Sequence, residues 1–169
     1  MNKKDELLDL VNENDEVIGT IFRSEKDAKN INDYRVINVF IVNSRGQLWI
    51  PRRTKNKILF PLGLDMSVGG HVPSGETYHE AFERETLEEV GINLNDIAWK
   101  LLGKVTPYKD KVNAFGQVYE IKMDNVPKYN ENDFCEYFWL YPKEVIEKNN
   151  KGELMKSDLP KLVEIFYLS

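Results

Sequence analysis

Three glutamates set the chemical problem in this sequence. Glu85, Glu88 and Glu89 stand three and four residues apart, a spacing that puts their carboxylates on one face of a helix. Like charges at those spacings repel and weaken a helix that has only structural work to do. A divalent cation reverses the sign of the interaction. Hard cations such as Mg²⁺ take oxygen ligands, keep some water and bind through one or two carboxylates together with substrate phosphate oxygens. The competing reading is a solvated acidic face, the usual fate of a charge run. Two features favour the cation. Tyr78, Ala81 and Phe82 lie close in helical angle to Glu85 and Glu89, so the acidic patch borders a packing surface. Gly69, Gly70 and Gly75 precede the helix and let backbone approach a ligand with no Cβ in the way.

The helix that must carry these groups has legible ends. Thr77 with Glu80 three residues on predicts a capping box, and Gly91 predicts a left-handed stop. Upstream, Arg52-Arg53-Thr54-Lys55-Asn56-Lys57 is the one basic cluster, close in sequence to the glycine-rich loop. Arginine suits phosphate because its planar fork donates two parallel hydrogen bonds, so Arg52 or Arg53 is a candidate phosphate contact against the alternative of a solvated turn.

The segment Gly70 to Ile92 resembles the Nudix box, Gly-x5-Glu-x7-Arg-Glu-U-x-Glu-Glu-x-Gly-U with U a bulky aliphatic. Gly70, Glu76, Arg84, Glu85, Glu88, Glu89, Gly91 and Ile92 match in register, and Thr86 departs at the first U. The resemblance implies a Nudix-type α/β/α sandwich with a mixed, partly split sheet. It implies water attack on a phosphorus of a nucleoside diphosphate linked to another group, with Mg²⁺ or Mn²⁺ as cofactor. Carried over by position, Glu85, Glu88, Glu89 and the Gly70 carbonyl are the implied metal ligands, and Glu76 with Arg84 the pair that braces the loop. Glu136 is the candidate general base outside the box, with Glu120 behind it; each is more readily read as an exposed strand carboxylate. Tyr34 and Trp49 could stack a base, though strand aromatics usually belong to the core.

A second likeness narrows the chemistry. Leu10-Val11-Asn12 through Val17-Ile18-Gly19, and Leu64 to His71, are similar to the isopentenyl-diphosphate isomerase branch of that superfamily. Those isomerases use a cysteine just before the glycine-histidine pair, and several histidines on a metal. Here Gly69 holds the cysteine position, and the chain has two histidines, His71 and His79. The expected relative therefore hydrolyses diphosphates, with His71 as a neutral group lining the site or as a structural one. A nucleotide sensor that does not cleave is the alternative from another class.

The remaining elements are those that must hold this site. Leu7–Val11 and Glu16–Ile21 predict a hairpin at the edge of the fold, and Glu25–Ala28 one helical turn. Val36–Val42 and Gln47–Pro51 predict a central hairpin. Leu64–Gly69, Ala98–Thr106, Phe115–Met123 and Phe134–Leu140 predict further strands. Pro142–Lys148 and a segment from Ser157 or Asp158 predict helices, the last with Leu159, Leu162, Val163 and Phe166 at helical spacing. One Nudix domain is expected over 1–169, with the hairpin at about 5–23 and the closing helices at about 142–168.

With 169 residues the chain can bury a sizeable core. A net charge of −5 argues against coating nucleic acid, but leaves a small nucleotide or diphosphate as substrate. The single cysteine, Cys135, allows no internal disulfide, no apolar run approaches a membrane span, and the start Met-Asn-Lys-Lys lacks the apolar core of a signal peptide, so the cytoplasm is the expected location.

Overall fold

The computed structural model describes residues 5–169, so the first four positions of the expected domain and start lie outside the described residues. Chain order gives β1 (Leu7–Val11), β2 (Val17–Phe22), α1 (Arg23–Lys29), β3 (Arg35–Val42), β4 (Leu48–Arg53), β5 (Val68–His71) and α2 (Tyr78–Val90). Then come β6 (Trp99–Val105), α3 (Pro107–Asp110), β7 (Phe115–Lys122), β8 (Phe134–Leu140), α4 (Pro142–Asn150) and α5 (Asp158–Val163).

The apolar run of β3 makes it the centre of the main sheet, whose order is β6-β7-β3-β4-β8 with β5 also on β3. β3 lies parallel to β7 and antiparallel to β4 and β5. β5 covers the first half of β3, Val36 to Val39, whereas β4 meets it only at Val42 and Leu48. Between those two contacts the ladder would leave the Ile41 N–H unpaired. Ser67 fills the gap: its Oγ accepts from Ile41 N at 2.9 Å and donates to the Trp49 carbonyl at 2.6 Å. The sheet is thus split, and the split is stitched by one buried hydroxyl.

Alternation along β3 and β4 sends side chains into two cores. Ile37, Val39, Ile41 and Trp49 pack with Val68, Phe82, Val90 and Phe134 on the α2 face. Phe40, Val42, Leu48 and Ile50 pack with Val145, Leu159, Leu162 and Val163 on the α4 and α5 face. Phe82 stacks on Tyr119 at 3.9 Å between ring centroids, fixing α2 against the sheet. This is the three-layer α/β/α arrangement expected from the resemblance. Trp49 and Tyr34 are both buried, the former in the α2 core and the latter in a small cluster with Leu8, Ile21 and Ala114.

Three expectations need correction. The first hairpin is not an edge of the main sheet; β1 and β2 form their own two-stranded sheet. Its work is to brace the loop before α2. Asp15 at its turn accepts from Arg35 Nε at 2.7 Å and from the Tyr78 hydroxyl at 2.8 Å, and Ser74 donates to Asp9 at 2.6 Å. The helical turn at Glu25–Ala28 is longer, running from Arg23 to Lys29, and ends where Asn30 takes the left-handed conformation at φ 51°. The strand expected at Leu64–Gly69 starts only at Val68, because Leu64 is occupied by isolated bridges to Arg52 and Met155 while the chain crosses from β4 to β5.

Candidate active site

The α2 cap forms as the sequence predicts. Thr77 accepts from Glu80 N at 3.1 Å, Thr77 N donates to the Glu80 carboxylate at 2.8 Å, and Gly91 closes the helix at φ 65°. The rotation of α2 is then set by Ala81, Phe82, Thr86 and Val90, which are all buried. That rotation turns Glu85 and Glu89 onto β5.

Contact between helix and strand is close. A Cβ on Gly70 would lie 2.3 Å from Glu85 Cδ, so only glycine admits this carboxylate. Glu89 Oε1 accepts from the Gly69 N–H at 3.1 Å. Glu85 is held by Arg84 Nη1 at 2.7 Å, while the same guanidinium donates from Nε to Glu76 at 3.1 Å and from Nη2 to the His71 carbonyl at 3.3 Å. Glu76 and Arg84 therefore bridge loop and helix. Glu88 is exposed and reaches Arg84 only at 3.5 Å. Thr86, at the position where the motif has an aliphatic, is fully buried, and its Oγ1 finds no hydrogen-bond partner.

Burial dominates the electrostatics. Desolvation pushes the Glu85 carboxyl above its ordinary range, against the pull of Arg84. Desolvation pushes Glu89 well above that range, helped by the charges of Asp65 and Glu85 and opposed by the Gly69 N–H. Among the described residues no cation forms an ion pair with Glu89. His71 is pulled down to about 3 by burial, then by the charges of Arg23, Lys26 and Lys156, and so is neutral. Its Nε2 is buried without a partner and its ring stacks on Tyr34 at 5.3 Å.

The two arginines of the basic cluster part company. Arg53 donates to Asp65 at 2.6 Å, and the charge of Asp65 adds to the push on the Glu89 carboxyl. Arg52 instead lies over the Phe138 ring on the α4 side, where it donates to Glu136 and Glu153 at 3.0 Å each. Glu136, opposite Arg52 in the β4–β8 ladder, is thus not brought to α2. Glu120 is buried on β7, accepting from the Tyr167 hydroxyl at 2.8 Å, and is likewise apart from the acidic helix. Asp65, Asp133 and Lys156 were not among the residues the sequence pointed to, and Lys57 was legible only as a member of the basic cluster. Asp65 carried a signal, a carboxylate between Leu64 and Met66 in an otherwise apolar stretch; Asp133, ion-paired with Lys57 at 2.5 Å, carried none.

The donor set fits a hard divalent cation. Glu85 and Glu89 bring carboxylate oxygens to bare backbone at Gly69 and Gly70, and their crowding is relieved by positive charge. Among the described residues no three His, Cys, Asp or Glu side chains converge as a cage.

A sequence profile of the NUDIX domain matches residues 33–159. An uncharacterised Nudix hydrolase of Nostoc sp. is 57% identical over 162 residues, covering 96% of each chain. The crystal structure of DR0079 from Deinococcus radiodurans superposes with a TM-score of 0.91 at 44% identity, over 96% of this chain and 99% of that one. The chain belongs to the Nudix hydrolase family. It is also similar, at 29% identity over 150 residues, covering 85% of this chain and 84% of the relative, to an isopentenyl-diphosphate Δ-isomerase of Photorhabdus laumondii.

Proposed function

We propose that this Nudix hydrolase is Mg²⁺-dependent, with Mn²⁺ able to substitute, and cleaves a diphosphate bond in a nucleoside di- or triphosphate, or in a related nucleoside-diphosphate-linked compound. The observation that carries this reading is the half-buried, undercompensated pair Glu85 and Glu89, pressed on the bare backbone of Gly69 and Gly70. Glu85 and Glu89 hold the cation, with the Gly70 carbonyl and the exposed Glu88 at its margin. A bound divalent cation supplies charge neutralisation at the phosphoryl oxygens and lowers the pKa of the attacking water.

The chain's own residues do the rest. Arg84 clamps Glu85, Glu76 and the His71 carbonyl, so the loop and helix are fixed before substrate arrives. Arg53, oriented by Asp65, is the arginine placed to meet a phosphate on the α2 side. Arg52 is taken up by Glu136 and Glu153, and the water's proton goes to a carboxylate of the α2 cluster rather than to Glu136. One domain spans the chain on this reading.

The isomerase reading lacks its acid. Gly69 stands at the cysteine position, and Cys135 sits exposed on β8 with Sγ 3.6 Å from the Arg53 carbonyl. A phosphate-release assay with Mg²⁺ over a panel of nucleotides tests the proposal. Turnover of at least one diphosphate-containing compound is expected. A nucleotide that binds while none is cleaved would replace the hydrolase with a sensor.

A further inference from the structure

Side chains alternate along β5, so the strand presents two different surfaces. The missing side chain of Gly70 faces Glu85. That of Gly69 faces the other way, where a Cβ would lie 3.4 Å from Asn38 Oδ1 and 3.9 Å from Lys156 Nζ. Any longer side chain at position 69 would compete with that ammonium for space. Gly116 on β7 borders the same spot, its absent Cβ 3.7 Å from Asn38 Nδ2. His71 falls on the Gly69 side of the strand, stacked on Tyr34, and Tyr34 carries the Lys26 ammonium 4.2 Å from its ring centroid.

Lys156 is placed there by backbone, not by chance of a flexible side chain. Lys156 N donates to the Leu64 carbonyl and Leu64 N to the Leu154 carbonyl, each at 2.9 Å, which holds the segment before α5 beside Asp65. The ammonium stands 3.7 Å from Asp65 Oδ1, beyond hydrogen-bonding reach. Asp65 is already engaged, Oδ2 by Arg53 at 2.6 Å and Oδ1 by Met66 N at 2.8 Å. Lys26, by contrast, is paired with Asp27 at 2.5 Å and contributes only a partly compensated charge. With its side chain 30% exposed, Lys156 is open to a ligand. A compact anion with several acceptor oxygens matches a point-like ammonium beside a glycine floor.

We propose that Lys156 is a substrate-binding residue whose ammonium, beside the bare face of Gly69, holds a terminal phosphoryl group of the substrate. This rests on the hydrolase reading above and deepens it: the enzyme selects compounds that end in an unesterified phosphoryl group. The Glu85 side of β5 takes the metal-bound part of the diphosphate, and the Gly69 side takes its end.

The test is Lys156→Met, which keeps the stem and removes the charge. For a nucleoside diphosphate, KM rises about tenfold with kcat within about threefold, the loss of one charge-assisted hydrogen bond. The ratio of kcat/KM for that diphosphate over the matching nucleoside diphosphate sugar drops by a similar factor. Gly69→Cys, which crowds the ammonium, shifts the same ratio in the same direction. A fall in kcat with KM unchanged, or an unaltered ratio, would overturn the proposal. Titration of inorganic phosphate into the metal-free protein by calorimetry gives a readout independent of turnover. Binding weakened about tenfold in Lys156→Met supports the subsite even if no compound is hydrolysed, and equal binding in the two proteins refutes it. Melting curves of each variant verify that the fold is kept.

Discussion

Arg84 serves Glu76, Glu85 and Glu88 at the junction of loop and helix, while Glu89 beside them has only a backbone N–H. Arg52, on the other side of the sheet, serves Glu136 and Glu153. In the first region carboxylates outnumber cations and two of them are pushed up by burial. In the second the glutamates keep much of their water, Glu136 being 50% exposed, and one guanidinium spans the pair. Ion pairs of the second kind contribute little to stability and ask for no ligand. Excess buried negative charge is costly unless something positive arrives, and that difference separates a site from a strap.

The largest expected effect lies in the first region. Glu89→Gln removes a carboxylate without changing its volume, and hydrolysis with Mg²⁺ should fall on the order of 10²-fold or more. The same substitution should leave the metal-free protein as stable as before or more so, since a charge that burial disfavours is gone. An unchanged rate would take α2 out of the chemistry and make both regions straps.

A pH series measures the same excess without any substrate. Glu89 and Glu85 have folded pKa values raised above the ordinary 4.5. Their contribution to stability is complete below the unfolded value and is lost as pH rises through the folded one. Metal-free melting temperature should therefore decline as pH climbs from about 4.5 towards the raised values, and Glu89→Gln should flatten the decline. Parallel curves for the two proteins would show that Glu89 titrates like a solvated glutamate.

The contrast between the regions was only half legible in the sequence. Thr77 with Glu80, Gly91, and the spacing of Glu85 and Glu89 act within one helix, so local rules place them. Which way a strand residue points is set by register with distant partners. Arg52 and Arg53 are neighbours in sequence, yet one is drawn to Glu136 across the β4–β8 ladder and the other to Asp65. Glu136 looked available because nothing near it in sequence announces Arg52. Lys156 was silent for the same reason: its place depends on backbone bonds to Leu64, which no periodicity encodes. The hairpin was recognisable as a hairpin, but its role in bracing the loop rests on Asp15, Ser74 and Tyr78, contacts made across the fold.

A smaller effect separates what α2 does on its two sides. Its inner side is apolar except for Thr86, whose hydroxyl is buried without a partner. Thr86→Val keeps the branched shape and deletes the unsatisfied group, so stability should rise by about 1 kcal/mol. That corresponds to a melting temperature higher by roughly 2–4 °C for a chain of this size, with activity unaltered. A loss of stability would mean that the hydroxyl is satisfied by an ordered water the valine expels.

The smallest effect is the one that closes the comparison. Glu136→Gln removes a charge from the Arg52 strap and keeps a hydrogen-bond acceptor for Arg52 Nε, now 3.0 Å from the carboxylate. Arg52 still has Glu153 and the Leu62 carbonyl at 2.9 Å, so its guanidinium stays in place. Stability should change by less than about 0.5 kcal/mol, the range of exposed pairs, and kcat/KM by less than about twofold. Measured beside Glu89→Gln under the same Mg²⁺, the two substitutions are chemically identical and differ only in where the glutamate sits. If Glu136→Gln instead removed most of the activity, burial and charge excess would be the wrong criterion. The base would then be a solvated carboxylate on β8, brought round to the diphosphate by a rearrangement of β4 and β8 on binding.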